Sequence, residues 1–190
     1  MNSTIKSALE RNVKAVSHRP SVGQGTAVTR VRLRDGLAAE ITEGAWTLTA
    51  GMTAKYGGTN AGPNPGVLGR AALGSCLAIG YAMWAARLEV PITSLEVEIH
   101  ADYDVRGELA ADDTIRPGYG AVRYVVTVTS PATSDEVRRV IDTADRYSSW
   151  RDVIANPVPL TRELRIERTP AGDTPVAPEP TMTTAPRRGE

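Results

Sequence analysis

The sequence predicts an α+β fold, in which helices and antiparallel strands follow one another without the regular alternation of a doubly wound sheet. Three stretches carry this prediction. Residues 66–89 are apolar nearly all round, as in a buried helix. Residues 94–106 alternate apolar and polar side chains, as in a half-buried strand, and residues 134–147 carry an apolar stripe at helical spacing. With the weaker segments added, the predicted order is helix, three-stranded meander, helix, two strands, helix and a final strand.

The N-terminal part predicts a helix followed by a strand meander. Residues 4–17 place their apolar side chains on roughly one helical face. Residues 26–33 alternate in the manner of a strand, and Asp35-Gly36 is a typical signal for a two-residue hairpin turn. We expect the meander to be completed by strands over 37–42 and 45–50.

The long apolar helix over 66–89 is the predicted centre of the fold. Gly, Ala and Ser supply many of its side chains, and such small residues let another element approach the helix backbone closely. We therefore expect it to be enclosed by a sheet or by a partner subunit. The preceding loop, 55–66, is interpreted as a turn rather than a phosphate cradle, because it lacks the Lys-Ser/Thr of a P-loop and the glycine spacing of a dinucleotide site.

The sequence of the C-terminal half predicts a second strand and a capped helix after the strand at 94–106. A polar loop over 107–118 separates the strand at 94–106 from a second strand at 119–129, whose valines share one face. The helix at 134–147 follows Thr133 and has a Glu three residues after that threonine. This spacing is typical of a capping box, in which the two side chains bond each other's backbone N–H groups.

Composition distinguishes three parts of the chain. Residues 1–24 hold the N-terminal helix and a linker, and residues 25–168 hold the folded domain, which we expect to end in a strand over 161–168. Residues 169–190 are rich in Pro, Thr and Ala and lack Ile, Leu, Phe and Trp. Such a segment cannot bury enough apolar surface to offset its ordering entropy, so we predict that this tail is disordered.

Composition also excludes several classes of protein. The 190 residues carry 22 Lys or Arg and 22 Asp or Glu, so the chain lacks the basic excess of a nucleic-acid binder. One cysteine cannot form an intrachain disulfide, and one cysteine with two histidines argues against structural zinc. The N-terminus lacks the apolar segment of a signal peptide. The apolar run between Arg70 and Arg87 has 16 residues, whereas a bilayer span needs about 20. We expect a cytoplasmic protein with no cofactor and no membrane or nucleic-acid partner.

Cys76 is the side chain that most invites a chemical role, because the sequence contains no other cysteine. In an apolar helix it could also be a small buried hydrophobic residue. A reactive cysteine needs a stabilised thiolate, and the helix start near Gly66 lies ~15 Å away, too far for the helix dipole to supply that stabilisation. A cation from elsewhere in the fold would be needed. The arginines of the first strand are candidates, although they also fit a solvated strand face: Arg30, Arg32 and Arg34.

The segment GPNPGVLGRAALGSC resembles the signature of the OsmC/Ohr family, the osmotically induced and organic-hydroperoxide-resistance proteins. That signature is an Asn-Pro or Ser-Pro pair, then a Leu/Ala-rich run, then Gly/Ala-x-Cys. Here the pair is Asn64-Pro65 and the cysteine is Cys76. A Gly-Gly loop before the helix and an Asp-x-Arg-Gly turn after the alternating strand also fit the OsmC-like branch. The resemblance covers about residues 25–168.

The resemblance implies an intertwined homodimer, in which curved antiparallel sheets wrap around two long central helices and two sites lie at the subunit interface. It further implies that Cys76 is the peroxidatic nucleophile and that Arg34, in an Arg-Asp-Gly hairpin, holds its thiolate. The chemistry would be attack of the thiolate on the O–O bond of a hydroperoxide, which gives a sulfenic acid.

Two positions depart from the pattern of the family's peroxidases. The Glu that follows the Asn/Ser-Pro pair and orients the arginine is replaced by Gly66, and the sequence leaves open whether Glu40 or Glu43 takes its place. The second, resolving cysteine is replaced by Ser148, which cannot form a disulfide. We therefore expect an external thiol to reduce any sulfenic acid formed on Cys76.

Two functions are compatible with these residues. The first is a one-cysteine thiol peroxidase that reduces organic hydroperoxides in oxidative-stress defence, with Cys76 and Arg34 as its catalytic residues. The second is a binding protein without peroxidase activity, which would hold a hydrophobic or thiol-reactive small molecule at the dimer interface near Cys76, Ser148, Tyr147 and Trp150. A redox sensor or a purely structural dimer is a third alternative.

Overall fold

A computed structural model describes residues 2–168 of the chain. Its helices are α1 (Asn2–His18), α2 (Pro65–Arg87), α3 (Val105–Glu108), α4 (Ser134–Arg146) and α5 (Ser149–Ala155). Its strands are β1 (Arg30–Leu33), β2 (Ala38–Glu43), β3 (Trp46–Gly51), β4 (Ser94–Asp102) and β5 (Ala121–Thr129). The chain divides into two units after Pro157, and every one of these elements lies in the first unit. The α+β order predicted from the sequence is confirmed for these elements.

The central helix α2 begins at an Asn-Pro pair that is well suited to a helix N-terminus. Asn64 is its N-cap, with a side chain that accepts a hydrogen bond from the Val67 N–H, and Pro65 occupies the first turn, where no intrahelical N–H partner is needed. Its inward side chains pack with the sheet of β4 and β5 and with α4, and they form the main core together with Ala144: Leu73, Leu77 and Tyr81. This packing makes α2 the element on which the rest of the unit is assembled.

The outward side of α2 is open within the single chain. Ile79 is 60% exposed and Met83 is 36% exposed. By length and composition alone α2 could cross a membrane, but here it is the central helix of the fold, in contact with α1, α4, α5 and β4. The enclosure of this side by a partner subunit stays a prediction.

β4 and β5 form a two-stranded antiparallel sheet with a continuous register from Ser94↔Thr129 to Asp102↔Ala121. The predicted strand over 94–106 is four residues too long, because the carboxylate of Asp104 accepts a hydrogen bond from the Arg106 N–H and caps α3. The predicted polar loop over 107–118 therefore begins inside this short helix. The Asp104 side chain competes with a neighbouring strand for the backbone N–H groups at this point. The alternation of apolar and polar residues does not reveal this competition.

β1, β2 and β3 form a separate antiparallel meander. The strand predicted over 26–33 begins only at Arg30, which pairs with Thr42 next to the end of β2. The turn has three residues rather than the predicted two, because the Arg34 N–H bonds the Ala38 carbonyl oxygen across residues 35–37. Gly36 adopts a φ of 59° in this turn, a conformation that glycine reaches without steric cost.

The C-terminal elements give one confirmation and one correction. The capping box at Thr133 and Glu136 is confirmed, since each side chain bonds the other residue's backbone N–H. The strand predicted over 161–168 is wrong, because these residues form no strand. An alternating pattern gives a strand only where a neighbouring strand supplies hydrogen-bond partners, which the pattern itself does not reveal. The tail predicted to be disordered, 169–190, lies outside the described residues, and the boundaries at residues 24 and 168 stay predictions.

Candidate active site at Cys76

Cys76 lies in the middle of α2 and is half-buried. Its Sγ is 3.5 Å from the Ser148 Oγ and 3.7 Å from the Ser149 Oγ. Both distances fall within hydrogen-bonding range for sulfur. The thiol therefore faces two hydroxyl groups that follow each other in sequence, across the contact between α2 and the start of α5.

The corner between α4 and α5 positions these hydroxyls. Ser148 is the N-cap of α5, and its Oγ accepts a hydrogen bond from the Arg151 N–H at 3.4 Å. The Ser148 side chain is buried, with 7% of the residue exposed. Because Ser148 is fixed by its capping role, its hydroxyl is held next to Cys76.

The hydrogen bonds at this corner favour the thiolate form of Cys76. Partial burial raises the pKa of the thiol, but hydrogen bonds from the Ser148 hydroxyl, the Trp150 N–H, the Ser149 hydroxyl and the Ser149 N–H each lower it. Together these hydrogen bonds outweigh the effect of burial, so the pKa of Cys76 lies below its usual value. A thiol with a lowered pKa and partial exposure is the kind that reacts with oxidants.

A cavity of about 450 Å³ opens beside the thiol. Two aromatic side chains of its wall, Trp84 and Tyr147, are stacked with their ring centroids 5.2 Å apart. The lining is apolar or uncharged throughout: Ala72, Ser75, Cys76, Ile79, Gly80, Met83, Trp84, Ala144, Tyr147, Ser148, Ser149 and Trp150. This composition suits an apolar small molecule placed against the sulfur.

The fold brings four of the five predicted site residues together and leaves the fifth apart. Tyr147, Ser148 and Trp150 line the same cavity as Cys76. Arg34 lies at the end of β1, where its Nη2 donates to the Glu40 Oε1 at 2.6 Å. Within residues 2–168, no hydrogen bond joins Arg34 to Cys76. The single chain therefore places Cys76 at the wall of the cavity without the predicted cation.

Gly66, at the position of the missing glutamate, lies close to the side chains of Arg70 and Tyr119. A Cβ on Gly66 would lie 3.3 Å from the Arg70 Nη1 and 3.4 Å from the Tyr119 Oη. Arg70 donates to that hydroxyl at 2.9 Å, and the hydroxyl donates to the Gly66 carbonyl oxygen at 3.2 Å. Arg70 and Tyr119 thus contact each other at the start of α2, where they help to line a cavity of about 400 Å³. The carboxylate beside Arg34 is that of Glu40.

Sequence reasoning missed several residues that shape the site. It missed Ser149, and it missed Asp145, whose carboxylate accepts hydrogen bonds from the hydroxyls of Tyr81 and Tyr124. A signal for Asp145 was present, since a tyrosine inside an apolar helix needs a buried partner for its hydroxyl. An aspartate at the edge of the apolar stripe of α4 is a suitable acceptor. In the part of the chain that the structure describes, no cluster of His, Cys, Asp or Glu could hold a metal ion.

Comparisons with known structures identify the fold. An OsmC-like protein from Mycoplasma pneumoniae superposes with a TM-score of 0.61 at 12% identity, covering 70% of this chain and 90% of that one. An osmotic stress induced and detoxification response protein from Psychrobacter arcticus gives 0.55 at 16% identity, with 70% and 91% covered. An organic hydroperoxide resistance protein from Legionella pneumophila gives 0.51 at 16% identity, with 68% and 89% covered. At such identities the likeness establishes the fold alone.

Comparisons of sequence identify the family. A search of curated protein sequences gave no match. The profile of the OsmC-like protein family matches residues 58–163, which is more than half of the chain and includes the Asn-Pro pair, Cys76 and Ser148. The chain therefore belongs to the OsmC-like protein family.

Proposed function

We propose that this protein is a thiol-dependent peroxidase that reduces organic hydroperoxides through Cys76. The thiolate attacks the outer oxygen of the hydroperoxide, so that an S–O bond forms while the O–O bond breaks. The alkoxide leaves and takes up a proton to become an alcohol. Cys76 is oxidised to a sulfenic acid, and the hydroperoxide is reduced by two electrons.

The observation that carries this proposal is the hydrogen-bonded, half-buried thiol at the wall of an apolar cavity. Hydroxyl and N–H donors directed at sulfur stabilise the attacking thiolate before the reaction begins. An uncharged wall that includes Trp84 and Tyr147 accepts the alkyl or aryl part of an organic hydroperoxide better than it accepts hydrogen peroxide.

An external thiol completes the cycle, because Ser148 occupies the place of a resolving cysteine. A first thiol condenses with the sulfenic acid to form a mixed disulfide and water. A second thiol attacks this mixed disulfide, which releases the Cys76 thiolate and an external disulfide. The reaction fits a role in oxidative-stress defence in the cytoplasm, where small thiols are kept reduced.

A homodimer is part of the proposal, and it would supply the cation that the single chain leaves apart. The meander exposes large apolar side chains, with Leu33 70% exposed and Trp46 77% exposed. The outward side of α2 exposes Ile79 as well. Patches of this kind are typical of surfaces covered by another subunit. In a dimer, the meander of one subunit would cover α2 of its partner and bring Arg34 to the partner's cavity.

The test compares consumption of cumene hydroperoxide in the presence of dithiothreitol by the wild type and by Cys76→Ser. Thr127→Ser, an exposed change on β5, serves as the matched control. We expect turnover by the wild type and the control and none by Cys76→Ser above the uncatalysed rate. Equal rates for wild type and Cys76→Ser would remove the peroxidase proposal.

A binding protein without peroxidase activity is the second candidate, and the separation of Arg34 from Cys76 favours it. The uncharged aromatic cavity could hold an apolar ligand without chemistry at sulfur. Titration with cumyl alcohol, followed by tryptophan fluorescence, distinguishes the two functions when combined with the turnover assay. Saturable quenching without any peroxide turnover would support binding alone, whereas Cys76-dependent turnover would support the peroxidase.

A further inference from the structure

Asp145 of α4 forms hydrogen bonds to α2 and to β5, about one helical turn before Ser148. It lies in the last turn of α4, three residues before Ser148. Its Oδ1 accepts a hydrogen bond from the Tyr81 hydroxyl of α2 at 2.6 Å, and its Oδ2 accepts one from the Tyr124 hydroxyl of β5 at 2.7 Å. Both carboxylate oxygens are therefore committed to tyrosines of different elements.

The same network reaches the first turn of α5. The Arg151 Nε donates to the Tyr124 hydroxyl at 3.2 Å, and the Arg151 N–H is the donor that Ser148 caps. Tyr81 is fully buried, and it follows Cys76 by five residues on α2. The α4–α5 corner is thus attached to α2 at two points, one between Asp145 and Tyr81 and one between Ser148 and Cys76.

The tyrosines remain hydrogen-bond donors around neutral pH, where alkylation of the thiol is compared. Burial and the hydrogen bond to Asp145 raise the pKa of Tyr81 far above its usual value, and the same two causes raise the pKa of Tyr124. The groups that face the carboxylate are Tyr81 from α2, Tyr124 from β5 and the more distant Arg151 from α5. Among the residues that the structure describes, the carboxylate forms no ion pair within 4.0 Å.

We propose that Asp145 is a positioning residue for Cys76: it fixes the α4–α5 corner so that the Ser148 and Ser149 hydroxyls stay against the sulfur and keep it reactive. Its role in turnover rests on the peroxidase function proposed above, but its effect on the thiol does not. A direct electrostatic effect of the carboxylate would have the opposite sign, since a nearby negative charge disfavours the thiolate.

The test measures how fast iodoacetamide alkylates Cys76 as a function of pH in the folded, full-length protein. The variants are Asp145→Asn and Tyr124→Phe, with Asp142→Asn as the matched control one turn earlier on α4. We expect Asp145→Asn to raise the apparent thiol pKa and slow alkylation at pH 7 about two- to tenfold, the factor for loss of one hydrogen bond to the thiolate. Tyr124→Phe should have a smaller effect of the same sign, and Asp142→Asn should match the wild type.

An unchanged or lowered thiol pKa in folded Asp145→Asn would overturn the proposal. If Asp145→Asn does not fold, Tyr124→Phe decides, because it removes the hydrogen bonds of the Tyr124 hydroxyl to Asp145 and Arg151 and keeps the carboxylate. The turnover assay separates this inference from the proposed function. If the thiol pKa rises in Asp145→Asn but no variant turns over hydroperoxide, wild type included, the positioning role stands and the peroxidase proposal fails. If the wild type turns over hydroperoxide but the thiol pKa is unchanged in Asp145→Asn, the peroxidase proposal stands and the positioning role fails.

Discussion

The surroundings of Cys76 and the surroundings of Arg34 differ in how much of their apolar surface is buried within the single chain. Around Cys76, α2 packs against α4, α5 and the β4–β5 sheet, and Leu77 and Tyr81 are 1% and 0% exposed. Around Arg34, the meander of β1, β2 and β3 leaves most of its large apolar side chains exposed, with Leu48 55% exposed. The difference teaches that Cys76 and the cavity beside it are assembled within one chain, whereas Arg34 lies outside that cavity and reaches a site only in the dimer that we propose.

The largest expected effect contrasts the cores of the two regions. Leu77→Ala should lower the free energy of unfolding by about 2–5 kcal/mol, because it removes a fully buried side chain from the contact between α2 and the sheet. Leu48→Ala should change the stability of the separated chain by less than about 0.5 kcal/mol, because more than half of this residue is already exposed there. Denaturant unfolding over a range of protein concentrations measures both.

The concentration dependence is the control for this first prediction. If the meander covers a partner subunit, the loss caused by Leu48→Ala should grow at concentrations where the dimer forms, since association stabilises the folded state by mass action. The loss caused by Leu77→Ala should be present at every concentration. Equal losses for both variants in the dissociated chain would contradict the difference between the two regions.

The next effect tests where the cation comes from. Arg34→Gln should lower peroxidase kcat/KM about 100-fold, which corresponds to roughly 3 kcal/mol of lost charge stabilisation at the thiolate and the leaving oxygen. The Arg34→Gln protein should remain folded, because the side chain is exposed at the end of β1. Hydroperoxide turnover measures the loss, and circular dichroism checks the fold.

Mixed dimers make this prediction specific. When Arg34→Gln and Cys76→Ser subunits are exchanged, each mixed dimer has one site with both residues intact, provided that Arg34 serves its partner's Cys76. Roughly a quarter of the wild-type activity should return, because half of the dimers are mixed and each has one working site. No recovery after exchange would show that the two residues do not act across the subunit interface, and it would contradict the proposed role of the partner subunit's surface.

The sequence predicted the elements of both regions better than it predicted their ends and their contacts, for a physical reason. Helical periodicity, the Thr133 capping box and the alternation over β4 are local signals, and each gave the element that was found. The end of β4 and the wrong strand over 161–168 depended on which groups compete for backbone hydrogen bonds. The tie between Asp145 and Tyr81 joins residues that are 64 positions apart, and neither periodicity nor spacing contains that pairing.

A smaller effect sharpens the description of the Cys76 region. Ser148→Cys places a second thiol where the Ser148 Oγ now lies 3.5 Å from the Cys76 Sγ. One equivalent of cumene hydroperoxide should then form an intrachain disulfide, because the sulfenic acid condenses with the new thiol and releases water. Thiol titration should find two thiols per chain before oxidation and none after it. The loss of the serine cap on α5 should cost about 1 kcal/mol of stability.

Ser134→Cys is the matched control for this cross-link, since residue 134 is exposed at the opposite end of α4. It also introduces a second thiol, but that thiol should remain titratable after one equivalent of hydroperoxide. If Ser148→Cys also keeps a free thiol under these conditions, the Ser148 position is not close enough to Cys76 in solution to act as a resolving position.

The smallest expected effect concerns Glu40, which pairs with Arg34 where the family's peroxidases use a glutamate at the position of Gly66. This ion pair is partly exposed, with the two side chains 54% and 34% accessible, and such pairs contribute about 0.2–1 kcal/mol. Glu40→Gln should therefore lower kcat/KM only about two- to fivefold, and 1 M NaCl should reduce the difference from wild type, because salt screens exposed charges. Glu43→Gln, on the same strand, should have no such effect. A loss as large as that of Arg34→Gln would mean that Glu40 holds the guanidinium in a desolvated site, where the dimer closes over the meander and the pair no longer behaves as a surface contact.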